Sequence, residues 1–169
     1  RHGLDRVLSF DMGGTTAKIC LIKNCTPKTS RVFEVARTYR FKKGSGMPIS
    51  IPVIDMVEIG AGGGSLAHVD GMRQIRVGPE SAGSEPGPAC YGQGGMRPAV
   101  TDADLVLGKL DPDNFAGGSI QLYAEQSRAA LIAELGDILD MDALTSAFGL
   151  AEVVDENMAN AARVHAVEN

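Results

Sequence analysis

No stretch of this sequence approaches the roughly 20 consecutive apolar residues that a membrane-spanning helix needs, and no signal-peptide pattern is visible at its start. Positive charge is short: 16 lysines and arginines stand against 21 aspartates and glutamates, a formal net charge of −5. Sequence-independent nucleic-acid binding rests on neutralising phosphates with Lys and Arg, so that function class is set aside together with a membrane role. Cysteine is scarce as well. Cys20, Cys25 and Cys90 form no C-x-x-C pair, which argues against a zinc site and for a reduced, cytoplasmic compartment. Internal repeats and low-complexity tracts are absent, and so is the G-x-x-x-x-G-K-[ST] pattern of a Walker A loop.

What is present is ordinary in bulk and unusual in arrangement. An apolar share of 44% and a charged share of 22% fit a soluble globular protein. The length of 169 residues suits a single domain. The 21 glycines are clustered, which points to backbone-shaped loops and not to a flexible linker. Arg1 in first place, strand-like sequence close behind it, and a helical pattern unfinished at Asn169 lead us to expect a piece of a longer protein.

The pattern divides into a strand-rich part (7–59), a glycine- and proline-rich part (60–98) and a helical part (99–169). Strands are predicted over 7–11 and 17–22, joined by a Gly-Gly turn. A third is expected over 31–41, and a strand buried on both faces over 49–60, where the run is apolar and β-branched. A hairpin is predicted over 66–77, then an ordered loop of the length that usually carries function. Helices follow. One opens with Thr101 as N-cap and Asp104 as its weaker capping-box partner; one runs over 123–136 and ends at Gly136. A short helix over 142–148 precedes a last amphipathic one from Leu150 onward. Strands early and helices late imply a mixed α/β fold.

Three strings are suited to chemistry. In "FDMGGTTAKICLI" (10–22), Asp11 closes a strand, Gly13 and Gly14 let main-chain N–H groups face an anion, and Thr15 and Thr16 add hydroxyls. Asp11 is also a candidate Mg²⁺ contact. An ordinary β-turn with a polar rim explains the same residues. In "EIGAGGGSLA" (58–67), Glu58 is a candidate general base or metal contact, and the glycines permit close backbone approach to a ligand. A solvated glutamate beside a glycine bend is the alternative. "GPESAGSEPGPACYG" (78–92) sets Ser81, Ser84, Glu85, Cys90 and Tyr91 among stiffening prolines. No histidine lies in that loop to activate Cys90, which is read as a packed residue. Asp102 and Asp104 fall at a predicted helix N-terminus, where capping and dipole compensation account for acids, with a metal or base role left open. His68 is read as an exposed strand residue and His165 as a core or interface residue. The Asp140, Asp142 and Lys42, Lys43 pairs are read as solvated surface.

Taken together, "FDMGGTTAKICLI", "EIGAGGGSLAHVD", "VGPESAGSEPGPACYGQGG" and "VTDADLVLGKLDPDNFAGG" resemble the hydantoinase A/5-oxoprolinase family, in order and over nearly the whole chain. The resemblance implies half of an actin/hexokinase-like ATPase, a ribonuclease-H-like subdomain, with ATP and Mg²⁺ held between two such halves. It implies opening of a cyclic amide, a hydantoin or 5-oxoproline, through a phosphorylated amide oxygen, chemistry that rests mostly on positioning and charge neutralisation. Asp11, Gly13, Gly14, Thr15 and Thr16 match the family's phosphate hairpin; Gly62, Gly63, Gly64 and Ser65 match its glycine loop, and Asp102 its T-D-A-[DN] motif. On that footing Asp11, Glu58 and Asp102 are the expected catalytic residues, Asp11 the metal contact, and the hairpin and glycine loop the cofactor contacts.

Two positions depart from the family's pattern. Many relatives carry an acid where Lys18 stands, and amidase-type relatives often carry Thr where Glu58 stands. The departures lean toward carboxylase-like members, so an ATP-using subunit of an acetone/acetophenone-type carboxylase is the alternative, with a non-catalytic assembly module of the same fold as the third reading. The resemblance also implies a B-like second subunit or fused domain as partner, in a homo- or hetero-oligomer. A further phosphate hairpin and an adenosine-side motif fall outside this chain, so the isolated fragment is expected to be inactive.

Overall fold

The computed structural model describes residues 3–36, 38 and 44–168. The Lys42, Lys43 pair and the end of the strand expected over 31–41 lie outside them. β1 (Arg6–Met12) and β2 (Ala17–Lys23) form the antiparallel hairpin that the alternation predicts. Successive side chains point to opposite faces: Ala17 and Ile19 are fully buried, while Lys18 between them is exposed. After β2 the chain turns at Asn24 and Cys25, both at positive φ, and β3 (Thr26–Pro27) pairs back on the end of β2. Two positive-φ residues make the turn whose twist matches a tight hairpin.

Two small ladders follow, β4 (Thr29–Ser30) with β7 (Val53–Ile54) and β5 (Phe33–Val35) with β6 (Met47–Ile49). β8 (Met56–Ile59) then returns to the start of β2, setting Ile59 beside Ala17 and Glu58 beside Lys18. The run over 49–60 is therefore not one doubly buried strand. Pro52 withdraws an N–H from any ladder, and Ile51, Ile54 and Met56 are left 47, 45 and 42% exposed.

β9 (Ser65–Val69) and β10 (Ile75–Ser81) form the expected second hairpin, with His68 half-buried opposite Arg76. The helical part is α1 (Val100–Val106), α2 (Ala124–Leu131), α3 (Asp137–Leu139) and α4 (Ala143–Glu168). Two helix ends differ from the sequence reading, both at glycines. α2 does not stop at Gly136; it passes through a wide turn at Ile132–Gly136 into α3, and the left-handed end residue is Asp140 at φ 61°. Gly136 is required by packing, since a Cβ there would lie 2.6 Å from the Met141 carbonyl oxygen. The two helices expected after residue 142 are one, because Gly149 stays helical and lets the Ile75 side chain come close.

A single core ties sheet to helices. Ile19 and Ile59 meet Val100 and Ala103 of α1, Leu131 of α2, and Leu150 and Val154 of α4. Leu8 and Phe10 of β1 share the face of Ile19 across the sheet but remain 44 and 45% exposed. A smaller cluster of Cys90, Leu105 and Leu122, joined by Tyr91 and Phe115, supports the glycine–proline loop. His165, 2% exposed, is a core residue of α4 as expected. Among the described residues no helix is long and apolar enough to cross a membrane.

Asp142 is more than solvated surface. Its Oδ1 accepts the Thr145 N–H at 2.7 Å and caps α4. Hydrogen bonds from the Thr145 side chain, then its N–H, hold the carboxyl below its ordinary range. A depressed folded-state pKa stabilises above the unfolded value, and that contribution disappears as pH falls through the folded one. Asp142→Ala is expected to lower Tm by roughly 2–4 °C near neutral pH. The difference from the parent should close as pH falls below the ordinary carboxylate range, as circular-dichroism melts across the acid range would show.

Candidate active site

The β1–β2 turn and the glycine loop after β8 interlock, because β8 lies against β2. The Gly63 N–H donates to the Gly13 carbonyl at 3.0 Å, and the Gly64 N–H to that of Gly14 at 2.6 Å. A Cβ on Gly62 would stand 2.5 Å from the Gly13 oxygen and 2.8 Å from carbonyl carbons of Gly14 and Thr15, so the contact requires glycine. The Gly62 N–H donates to Ser65 Oγ at 2.9 Å, and the Ser65 N–H to the Gly62 carbonyl at 3.0 Å. The four N–H groups of Gly62, Gly63, Gly64 and Ser65, expected to meet a cofactor, are thus all taken inside the protein. These bonds brace the hairpin, and Gly63 and Gly64 also border the adjoining cavity.

The donors left over belong to the hairpin. The Gly13 N–H donates to the Thr16 carbonyl at 2.8 Å. Among the described residues, no hydrogen bond uses the N–H of Gly14 or Thr15. A Cβ on Gly14 would meet nothing within 4 Å, and its φ lies outside the left-handed region. Neither packing nor conformation asks for glycine at that position.

This turn borders a cavity of about 800 Å³. Met12, Gly13, Gly14 and Thr15 form one side, Ser81, Ser84, Pro88, Tyr91 and Gln93 another, and Leu110, Phe115 and Ile120 an apolar floor. Thr101 and Asp104 of α1 close the ring. Thr101 is not the N-cap: α1 starts after Ala99, and the Thr101 N–H and hydroxyl both donate to the Gly63 carbonyl at 2.8 Å. Asp104 pairs with Lys109 Nζ at 3.0 Å, and that hydrogen bond raises the ammonium's pKa.

Asp102 points elsewhere. It is fully buried, and its Oδ2 accepts the N–H groups of Ala89 at 3.1 Å and Ala99 at 2.8 Å. Oδ1 accepts the Cys90 N–H at 2.8 Å and the Ser127 hydroxyl at 2.7 Å. The expected catalytic contact gives way to a structural one, since both oxygens are occupied by protein and the residue does not line the cavity. Cys90 beside it is fully buried, and its thiol is pushed well up, first by burial and then by the Asp102 charge. That is opposite to what a thiolate nucleophile needs. Burial also raises the Tyr91 phenol, whose ring meets Phe115 at 6.0 Å between centroids.

Asp11, Lys18 and Glu58 form a row across β1, β2 and β8, all exposed on the face away from Ala17 and Ile19. Antiparallel neighbours sit about 5 Å apart, so the backbone positions of Asp11 and Glu58 lie roughly 10 Å apart with Lys18 between them. Among the described residues no three His, Cys, Asp or Glu side chains converge as a metal site. Asp11 does not line the cavity but stands at the foot of the turn that carries the free N–H donors, and a single carboxylate there fits Mg²⁺ carried by a phosphate ligand, which takes most of its oxygens from phosphate and water. Sequence reasoning missed the cavity floor, because Leu110, Phe115 and Ile120 lie in turns without periodicity. It also missed Ser127, whose bond to Asp102 joins residues 25 apart.

The hydantoinase/oxoprolinase family model matches residues 1–169. Caprolactamase subunit alpha of Pseudomonas jessenii is 38% identical over 166 residues, 98% of this chain and 23% of that protein. The crystal structure of the ATP-dependent caprolactamase from Pseudomonas jessenii superposes with a TM-score of 0.77 at 35% identity, over 96% of this chain and 22% of that one. A nucleotide-free acetone carboxylase structure, described as concerning ATP-dependent acetone carboxylation, gives a TM-score of 0.80 at 29% identity, over 95% and 22%. The chain thus spans under a quarter of the length of these relatives. Matched by the family model over residues 1–169 and 38% identical to caprolactamase subunit alpha over 98% of its own length, the chain belongs to the hydantoinase/oxoprolinase family.

Proposed function

We propose that this chain is part of an ATP-dependent enzyme that opens a cyclic amide, with the Asp11–Thr16 turn holding phosphate and the neighbouring cavity holding the amide. One observation carries the reading: among the described residues the N–H groups of Gly14 and Thr15 have no partner, on the rim of a cavity of about 800 Å³, while the turn beneath them is braced. Adjacent free N–H groups in a turn suit an anion, and the hydroxyls of Thr15 and Thr16 can add donors. Asp11 would hold Mg²⁺ with its single carboxylate. ATP supplies the phosphoryl group that makes the amide oxygen a leaving group; the turn orients that group and offsets its charge. In this reading the chain is one ribonuclease-H-like portion of an actin/hexokinase-like ATPase. The exposed Leu8 and Phe10 support a longer domain that continues over β1. A B-like partner subunit fits a relative named as a subunit alpha.

Gly14→Ala tests the phosphate role. It is expected to leave the unfolding free energy of the whole protein within about 0.5 kcal/mol, while raising the KM for ATP at least roughly tenfold, as a methyl group intrudes on the two donors. An unchanged KM would remove the turn from the phosphate site. Asp11→Ala is expected to abolish ADP release; undiminished turnover would favour the assembly-module reading. The likeness to acetone carboxylase supports a second reading, an ATP-using carboxylase subunit. Following ADP release with hydantoin, 5-oxoproline, or acetone plus bicarbonate separates the two.

A further inference from the structure

We infer that the cavity selects an uncharged acceptor with a substantial apolar body, a simple lactam or a ketone, and discriminates against an amide that carries a carboxylate, such as 5-oxoproline. The inference rests on reading this cavity as the acceptor site. Among the described residues, none that lines it is Lys, Arg or His. The one charged lining residue is an acid, Asp104. Lys109, the nearest cation to it, is already engaged at 3.0 Å and is not part of the lining. A carboxylate entering here would shed water without gaining a cation, and burying an unpaired ion is costly. It would also face the Asp104 carboxylate, and any phosphate held at Gly14 and Thr15 would add repulsion from the other side.

The remaining chemistry favours a neutral guest. Leu110, Phe115 and Ile120 offer hydrocarbon to a ring or aryl group. The Thr101 hydroxyl is taken by the Gly63 carbonyl, and Ser81 Oγ accepts the Gly83 N–H at 3.2 Å. Among the described residues, the side chains of Ser84 and Gln93 make no hydrogen bond. They leave neutral donors and acceptors, which match an amide C=O and N–H or a ketone oxygen. An apolar pocket with a few neutral polar groups orients such a guest and charges no price to its ions, since it has none.

The test is calorimetric binding of ε-caprolactam and of 5-oxoproline to the whole protein at pH 7, independent of turnover. The parent should bind caprolactam at least roughly tenfold more tightly. Gln93→Lys places a cation on an exposed lining position and should tighten 5-oxoproline roughly tenfold, while caprolactam, which loses the neutral Gln93 amide, gains nothing. Asp104→Asn, a milder change, should move 5-oxoproline in the same direction. Equal or tighter binding of 5-oxoproline by the parent, no measurable caprolactam binding, or no response of 5-oxoproline to either variant overturns the inference. ADP release, measured separately, reports on the ATP-dependent reading: its absence with every acceptor would sink that reading and leave the binding preference to judge this one.

Discussion

Gly62→Ala is expected to cost about 2–3 kcal/mol of folding stability and to disorganise the phosphate turn, although residue 62 donates nothing to a ligand. Its added Cβ would fall 2.5 Å from the Gly13 carbonyl oxygen, inside any tolerable contact, and all three nearest atoms are backbone. No side chain can swing aside. Relief requires the β1–β2 turn and the glycine loop to part, which stretches the bonds from Gly63 to Gly13 and from Gly64 to Gly14. Urea unfolding should show a lower midpoint at an unchanged slope, the sign of lost stability without a new denatured state. Gly14→Ala is the internal control, since its Cβ would enter open space. The two substitutions should therefore split: one destabilising, the other near-neutral in stability and harmful to nucleotide use. Equal midpoints for Gly62→Ala and the parent would mean that the two turns do not interlock.

This contrast also shows what was legible in the sequence and what was not. The paired strands around the Gly-Gly turn could be read from alternation, because a strand's buried face is written every second residue. The glycine loop could be located but not assigned. Glycine permits close backbone approach equally to a ligand and to another backbone, and here the partner is the Gly13–Thr15 backbone some 50 residues earlier in the chain. Lys18 between Asp11 and Glu58 depends on β8 returning to β2 after two intervening ladders, and no local pattern encodes that return. Gly136 and Gly149 misled for a related reason. A glycine near a helix end reads as a stop, whereas both serve close contacts inside helical backbone. The overall order, strands then helices, survived because it follows from composition over long windows and not from single residues.

Asp102→Ala should be the most damaging single substitution near the site. It would leave the buried N–H groups of Ala89, Cys90 and Ala99 and the Ser127 hydroxyl without their acceptor. An unsatisfied buried donor costs about 1–3 kcal/mol, and the four are not additive, so a loss of about 4 kcal/mol is expected, a large share of ordinary domain stability. Asp102→Asn separates bonding from charge. Its amide must set NH₂ where one oxygen stood, against either the Cys90 N–H or those of Ala89 and Ala99, so roughly 2 kcal/mol should still be lost. The substitution also removes the charge that, after burial, raises the Cys90 thiol. With Cys20 and Cys25 replaced by serine, Asp102→Asn should therefore let a thiol reagent reach reaction at lower pH than in the parent. Ser127→Ala also breaks one bond of the cluster, but the Ser127 hydrogen bond lowers the thiol's pKa, so its loss acts in the opposite sense. Mere loosening of the loop would speed labelling in both variants; only charge removal shifts the pH profile downward in one and not in the other. A cavity-facing catalytic Asp102 would give a different result again, with lost turnover at an unaltered unfolding midpoint and unaltered Cys90 labelling.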